Sequence, residues 1–143
     1  GKDVGAREKT MPVKIGYSLD EKTKTTYAFV KSASEYPDGI NWHLIMGLDN
    51  MGFMKEKDYR LTHDRLKGLT SKAVCSSEDE FDEKIGRQVA RDKLLRRYYE
   101  FCNTALNKYM LALDQAAYTA YGAMKKSGER YNDICVRLVK AKV

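Results

Sequence analysis

The rhythm of apolar and polar positions changes once along this chain, at Ser76. Before it, short alternating runs predict strands. Val13, Ile15 and Tyr17 alternate with Lys14, Gly16 and Ser18, which is the period of a half-buried strand. Thr25 to Val30 is rich in β-branched and aromatic residues, and the polar connector Asp20-Glu21-Lys22-Thr23 reads as a hairpin turn between the two runs. Pro37-Asp38-Gly39 has turn chemistry, with proline presetting φ and glycine permitting a positive φ. Trp42 to Met46 fits either a buried strand or the start of a short helix. Asp58–Thr62 and Leu69–Cys75 read as further strands, joined by a basic connector with His63, Arg65 and Lys67. The expectation is a small antiparallel sheet of three to five strands.

After Ser76 the pattern becomes helical. Ser77 followed by Glu80 matches a capping box, Asp82-Glu83 is an alternative cap, and Glu78, Asp79 and Glu80 suit the positive end of a helix dipole. A long amphipathic helix is predicted from about Phe81 to about Met124. Phe81, Ile85 and Val89 are expected to pack on the strands. Leu95, Tyr99, Cys102, Leu106, Tyr109, Leu113, Ala116 and Ala120 form a heptad-like seam with steps of four and three. Asn103 and Asp114 are places for a bend. Ser127-Gly128 is expected to end the helix, with Lys125 and Lys126 in its last turn. Residues from Glu129 to Val143 fit a helix folding back on its neighbour or a strand joining the sheet. A helix of about forty residues would span roughly 60 Å, more than a globule of this size can cover. The Leu95–Ala120 seam, with small residues such as Ala112 and Ala117, therefore predicts self-association or a helical hairpin with the tail.

Length and charge narrow this picture. The 143 residues suit one domain, 11–143, with a sheet part (11–75) and a helical part (76–143). Residues 1–10 are polar and glycine-bearing, and are expected to be disordered or tag-derived, with Met11 as a native start. No apolar run is long enough to cross a membrane as a helix. Cys75, Cys102 and Cys135 are irregularly spaced and form no CxxC pair, which favours reduced thiols in a cytoplasmic setting. The net charge of +6 favours an anionic partner, set against the reading of ordinary solubility charge.

No catalytic constellation, phosphate loop or zinc pattern stands out, so neither an enzyme nor a cofactor is expected. The acidic run at residues 78–83 could hold a divalent cation, but a helix N-terminus explains it more simply. The suggestive cluster is basic and aromatic. Lys84, Arg87 and Arg91 share a helical stripe, and Arg96, Arg97, Tyr98, Tyr99 and Phe101 follow. Guanidinium forks suit phosphates and aromatic rings suit bases. The ligand-binding candidates are Lys84, Arg87, Arg91, Arg96, Arg97, Tyr98 and Phe101, with no metal site. Against them stand Glu83–Arg87 and Asp92–Arg96, ordinary i,i+4 helix pairs. Lys55, Lys57, Arg60, Arg65 and Lys67, with Tyr59, form a second basic patch.

The stretch from Lys72 to Leu95, with Cys75, Asp79-Glu80-Phe81-Asp82, Gly86, Ala90 and Lys93-Leu94-Leu95, resembles a module of small phage and prophage proteins. In it a strand leads through an acidic turn into a helix. The order of sheet then long helices is also similar to that of phage counter-defence proteins that sequester Thoeris signalling nucleotides. That resemblance implies a non-enzymatic oligomer binding a cyclic ADP-ribose-type ligand through arginines and aromatics. No binding residue is carried over from it. The expectation is thus an α+β, homo-oligomeric, nucleotide-capturing protein. The alternative is a basic nucleic-acid-binding or protein-inhibitory module of phage origin.

Overall fold

A computed structural model describes residues 13–76, 78 and 80–142. The expectations for residues 1–10, for Met11 and for the Ser77 cap lie outside the described residues, as does Asp79. The fold is α+β. Strands β1 (Val13–Asp20) and β2 (Thr25–Ala33) form the expected hairpin, and β3 (Thr70–Val74) adds antiparallel to β2, giving the order β1-β2-β3. Asp20 closes the hairpin by accepting from the Lys22 amide at 3.0 Å, and Lys24 takes a left-handed φ of 50°. A bulge between Lys14 and Ile15 shifts the β1–β2 register.

Between the hairpin and β3 the chain is helical rather than stranded. The turn at Pro37 forms as expected, with the Ile40 amide donating to the Pro37 carbonyl and Gly39 at φ 90°. Helix α1 (Trp42–Asn50) follows, capped by the Asn41 side chain, which accepts from the His43 and Leu44 amides. This resolves the Trp42–Met46 run as helix. Asp58–Thr62 forms no strand: Glu56–Asp58 is a single 3-10 turn. Helix α2 (His63–Lys67) occupies the basic connector, with the Thr62 hydroxyl accepting from the Arg65 amide. Glu56 pins this region by accepting from the Tyr36 hydroxyl and lying 3.8 Å from Arg60.

Helix α3 (Glu83–Lys140) is 58 residues long, about 87 Å at 1.5 Å per residue. Asp82 is its N-cap, accepting from the Lys84 and Ile85 amides at 2.9 and 3.3 Å. Two expectations are corrected here. The helix does not stop at Ser127-Gly128, and among the described residues no shorter element folds back. A helical glycine costs only about 1 kcal/mol, and with no proline beyond it the chain has no obligatory stop. The seam keeps Cys102 and Tyr109 of the expected line but elsewhere shifts by one residue, from Leu95, Tyr99, Leu106 and Leu113 to Leu94, Tyr98, Ala105 and Ala112. The buried line is Ala90, Leu94, Tyr98, Cys102, Ala105, Tyr109 and Ala112, whereas Tyr99 is 44% exposed and Ile85 is 59% exposed.

Small residues explain the displacement. Gly86 rests on Thr26, and Ala90 packs with Ala28 and Ala73, so the helix axis comes close to the sheet. The Ser71 hydroxyl donates to the Ala90 carbonyl at the same contact. Further along, Tyr98 and Cys102 pack with Val13 and Leu61. Ala105, Tyr109 and Ala112 then cover Ile45 and Leu48 of α1. The last helical side chain packed against these clusters is Ala116.

Candidate functional site

The predicted site residues do not converge. They divide between the two edges of the sheet, because α3 lies across it with side chains reaching down both flanks. On the β1 side, Arg87 pairs with Glu83 at 2.9 Å and its guanidinium lies 5.7 Å from the centre of the Tyr17 ring. Arg91 is 3.8 Å from Asp92 and is partly covered. Lys84 lies with Glu83 and Arg87 at a shallow surface depression. On the β3 side, Arg97 Nη1 donates to the Thr70 carbonyl at 2.6 Å, and Lys93 Nζ donates to the Lys72 carbonyl at 3.1 Å. Arg96 is exposed.

Tyr98 is the clearest correction. It is 1% exposed, and its ring fills the core between β1 and Leu61. Burial, followed by contact with Cys102, pushes its phenol pKa up. Burial likewise pushes the Cys102 thiol up. Tyr98 therefore serves packing and offers no face to a ligand.

One part of the prediction does assemble, and it joins the two basic patches. Arg65 of α2, together with Arg97 and Phe101 of α3, lines a cleft of about 210 Å³ with Leu61, Gly68 and Leu69. The Arg65 guanidinium sits 5.6 Å from the centre of the Phe101 ring, a cation–π distance. It also donates to the Asp58 and Arg60 carbonyls at 3.3 and 3.2 Å. Those bonds, with the one from Arg97 to the Thr70 carbonyl, hold the two guanidiniums, each of which carries five donors, more than these bonds use. The volume is below the roughly 300 Å³ typical of a whole small-molecule site, so it suits one anionic group.

A larger cleft of about 440 Å³ lies where β3 meets the start of α3, between Val74, Cys75, Phe81, Ile85 and Val89, with Lys24 and Lys93 at its margins. Asp82 also lines it, but its carboxylate caps the helix. Among the described residues, no group of three or more His, Cys, Asp or Glu side chains is arranged to hold a metal, and no helix is long and apolar enough to cross a membrane.

The most unusual feature is the far half of α3. About 24 helical residues beyond Ala116 extend roughly 36 Å from the head. Tyr118 is 80% exposed and Val139 is 77% exposed, with Met124, Tyr131, Ile134 and Leu138 also open. No protein-family model matches the chain, and comparison with curated proteins and with solved structures finds no match either.

Proposed function

We propose that this chain is a non-enzymatic, homo-oligomeric binding protein that captures an anionic, nucleotide-like ligand. The carrying observation is the overhanging half of α3. Most helical stability in proteins comes from packing an apolar face rather than from propensity. Here Ala116, Ala120, Met124, Tyr131, Ile134 and Leu138 continue the line of Tyr109 and Leu113 at steps of three and four, with Ser127 in the gap. Tyr118, Tyr121, Val136 and Val139 add apolar surface on other faces. A helix apolar on more than one face suits a bundle of several copies. Cys102 and Tyr109 of the predicted seam are buried within the chain, so the contact between copies moves to Leu113–Leu138.

The ligand half of the reading rests on the charge of +6 and on the Arg65–Arg97–Phe101 cleft, whose lining supplies anion-binding groups without a proton-transfer pair. The resemblance to phage nucleotide-sequestering proteins points to the same ligand class. Native mass spectrometry of protein purified from a bacterial lysate tests both halves. The expected result is a discrete oligomer carrying a co-purified anionic molecule, with Ile134→Asp plus Leu138→Asp giving monomers. A wild-type chain that stays monomeric as its concentration is raised would overturn the oligomer.

A further inference from the structure

The face of the sheet opposite α3 carries two aromatic rings on its central strand. Tyr27 and Phe29 are 40% and 37% exposed, and residues at i and i+2 point to the same side, about 6.6 Å apart along the strand. Among the described residues, no element crosses this face: α3 packs on the opposite side, through Ala28 and Ala73. Gly16 is paired with Phe29 across the β1–β2 ladder, and a Cβ there would meet the ring at 2.6 Å. The absence of that Cβ lets the Phe29 ring lie down against β1. The Lys31 side chain crosses the same glycine, where the added Cβ would meet its Cε at 2.8 Å.

The surroundings of the rings are cationic. Lys72 is the cross-strand partner of Tyr27 and is exposed, as is Lys14 on β1. At the β3 edge, Lys93 and Arg97 hold the Lys72 and Thr70 carbonyls, which brings two further positive charges to the rim. Asp20, an acid at the hairpin end of β1, accepts from the Lys22 and Thr23 amides.

From this juxtaposition we infer that the open sheet face binds single-stranded nucleic acid, with bases stacked on Tyr27 and Phe29 and phosphates met by Lys31, Lys72 and the β3-edge cations. Every base has a π face, so exposed rings give sequence-tolerant stacking, and the lysines supply the salt-dependent backbone term. A duplex buries its base faces and can use only the lysines. The inference goes beyond the proposed function: it concerns a different surface from the Arg65–Arg97–Phe101 cleft and is independent of self-association.

Fluorescence anisotropy with a labelled oligothymidylate, its duplex form and thymidine monophosphate tests it, with native mass spectrometry on the same samples. The single strand should bind most tightly, and more weakly as salt is raised. Tyr27→Leu and Phe29→Leu keep apolar bulk and remove the π face. Each should weaken single-strand binding by about tenfold and leave duplex binding unchanged. Lys31→Gln with Lys72→Gln should reduce the salt dependence while leaving the rings in place. Single-strand binding that is absent, or indifferent to both leucine variants, overturns the inference, and so does equal affinity for the mononucleotide. A monomer that binds in a ring-dependent way overturns the oligomer alone, and an oligomer that does not bind overturns this inference alone.

Discussion

Gly86 of α3 lies directly on Thr26 of β2, so closely that a Cβ at position 86 would stand 2.6 Å from the threonine Oγ1. Thr26 is 1% exposed and its hydroxyl has no hydrogen-bond partner. The helix thus begins its crossing of the sheet on a contact that allows no side chain. Gly86→Ala would gain about 1 kcal/mol of helix propensity, but overpacking a buried contact costs about 1–3 kcal/mol. Net destabilisation is expected in urea melts. It should shrink when Thr26→Ala is added, because the second change removes the atom in the way.

The same threonine predicts a stabilising substitution. A buried hydroxyl without a partner carries a desolvation penalty of about 1–3 kcal/mol, and replacement by an apolar group of the same shape recovers part of it. Thr26→Val should raise the denaturation midpoint with an unchanged m-value. A lower midpoint would show that the hydroxyl has a partner in solution.

The helical register makes a paired prediction. Leu94 is fully buried between the sheet residues Ala28 and Ala73, whereas Leu95 is only partly covered. Leu94→Ala should cost about 2–5 kcal/mol, the usual range for a buried leucine. Leu95→Ala should cost clearly less. Equal losses would mean that the seam read from heptad spacing is also used.

Alkaline pH should weaken the fold. Burial, followed by hydrogen bonding to Glu56, pushes the Tyr36 phenol up to about 12, and burial raises Tyr98 as well. An unfolded tyrosine releases its proton near pH 10, so between about pH 10 and 12 the native state binds more protons than the unfolded one. Stability from these groups is therefore complete below about pH 10 and is lost as pH rises through that window. Denaturant melts from neutral pH to about pH 11 should show the decline, and Tyr36→Phe should flatten it.

Much of the candidate site's chemistry was legible in the sequence, and little of its placement. Arginine beside aromatic residues on the long helix was the signal read from the sequence, and Arg97 with Phe101 lines a cleft. Its third member, Arg65, is distant in sequence and arrives only because α2 folds against α3. Tyr27 and Phe29 had a readable signal, namely alternation with buried Thr26 and Ala28 and half-buried Val30. Which side of a strand faces water depends on where the helix lies.

The sequence by itself determined the local units: the hairpin, the turn at Pro37-Asp38-Gly39, the acidic start of α3 and a long helix without proline. Each rests on interactions within a few residues, which act alike wherever the segment sits. Tertiary structure decided the register of α3, the burial of Tyr98 and the separation of Arg87 from Arg97. Adjacent helix positions differ by about 100° of rotation, and both Leu94–Tyr98 and Leu95–Tyr99 are apolar enough to face a core. Close approach through Gly86, Ala90, Ala28 and Ala73 selected the first pair, because a large seam could not come as near to the strands. Beyond Ala116 no sheet or helix of the described chain remains to choose a face, and the apolar positions there stay open.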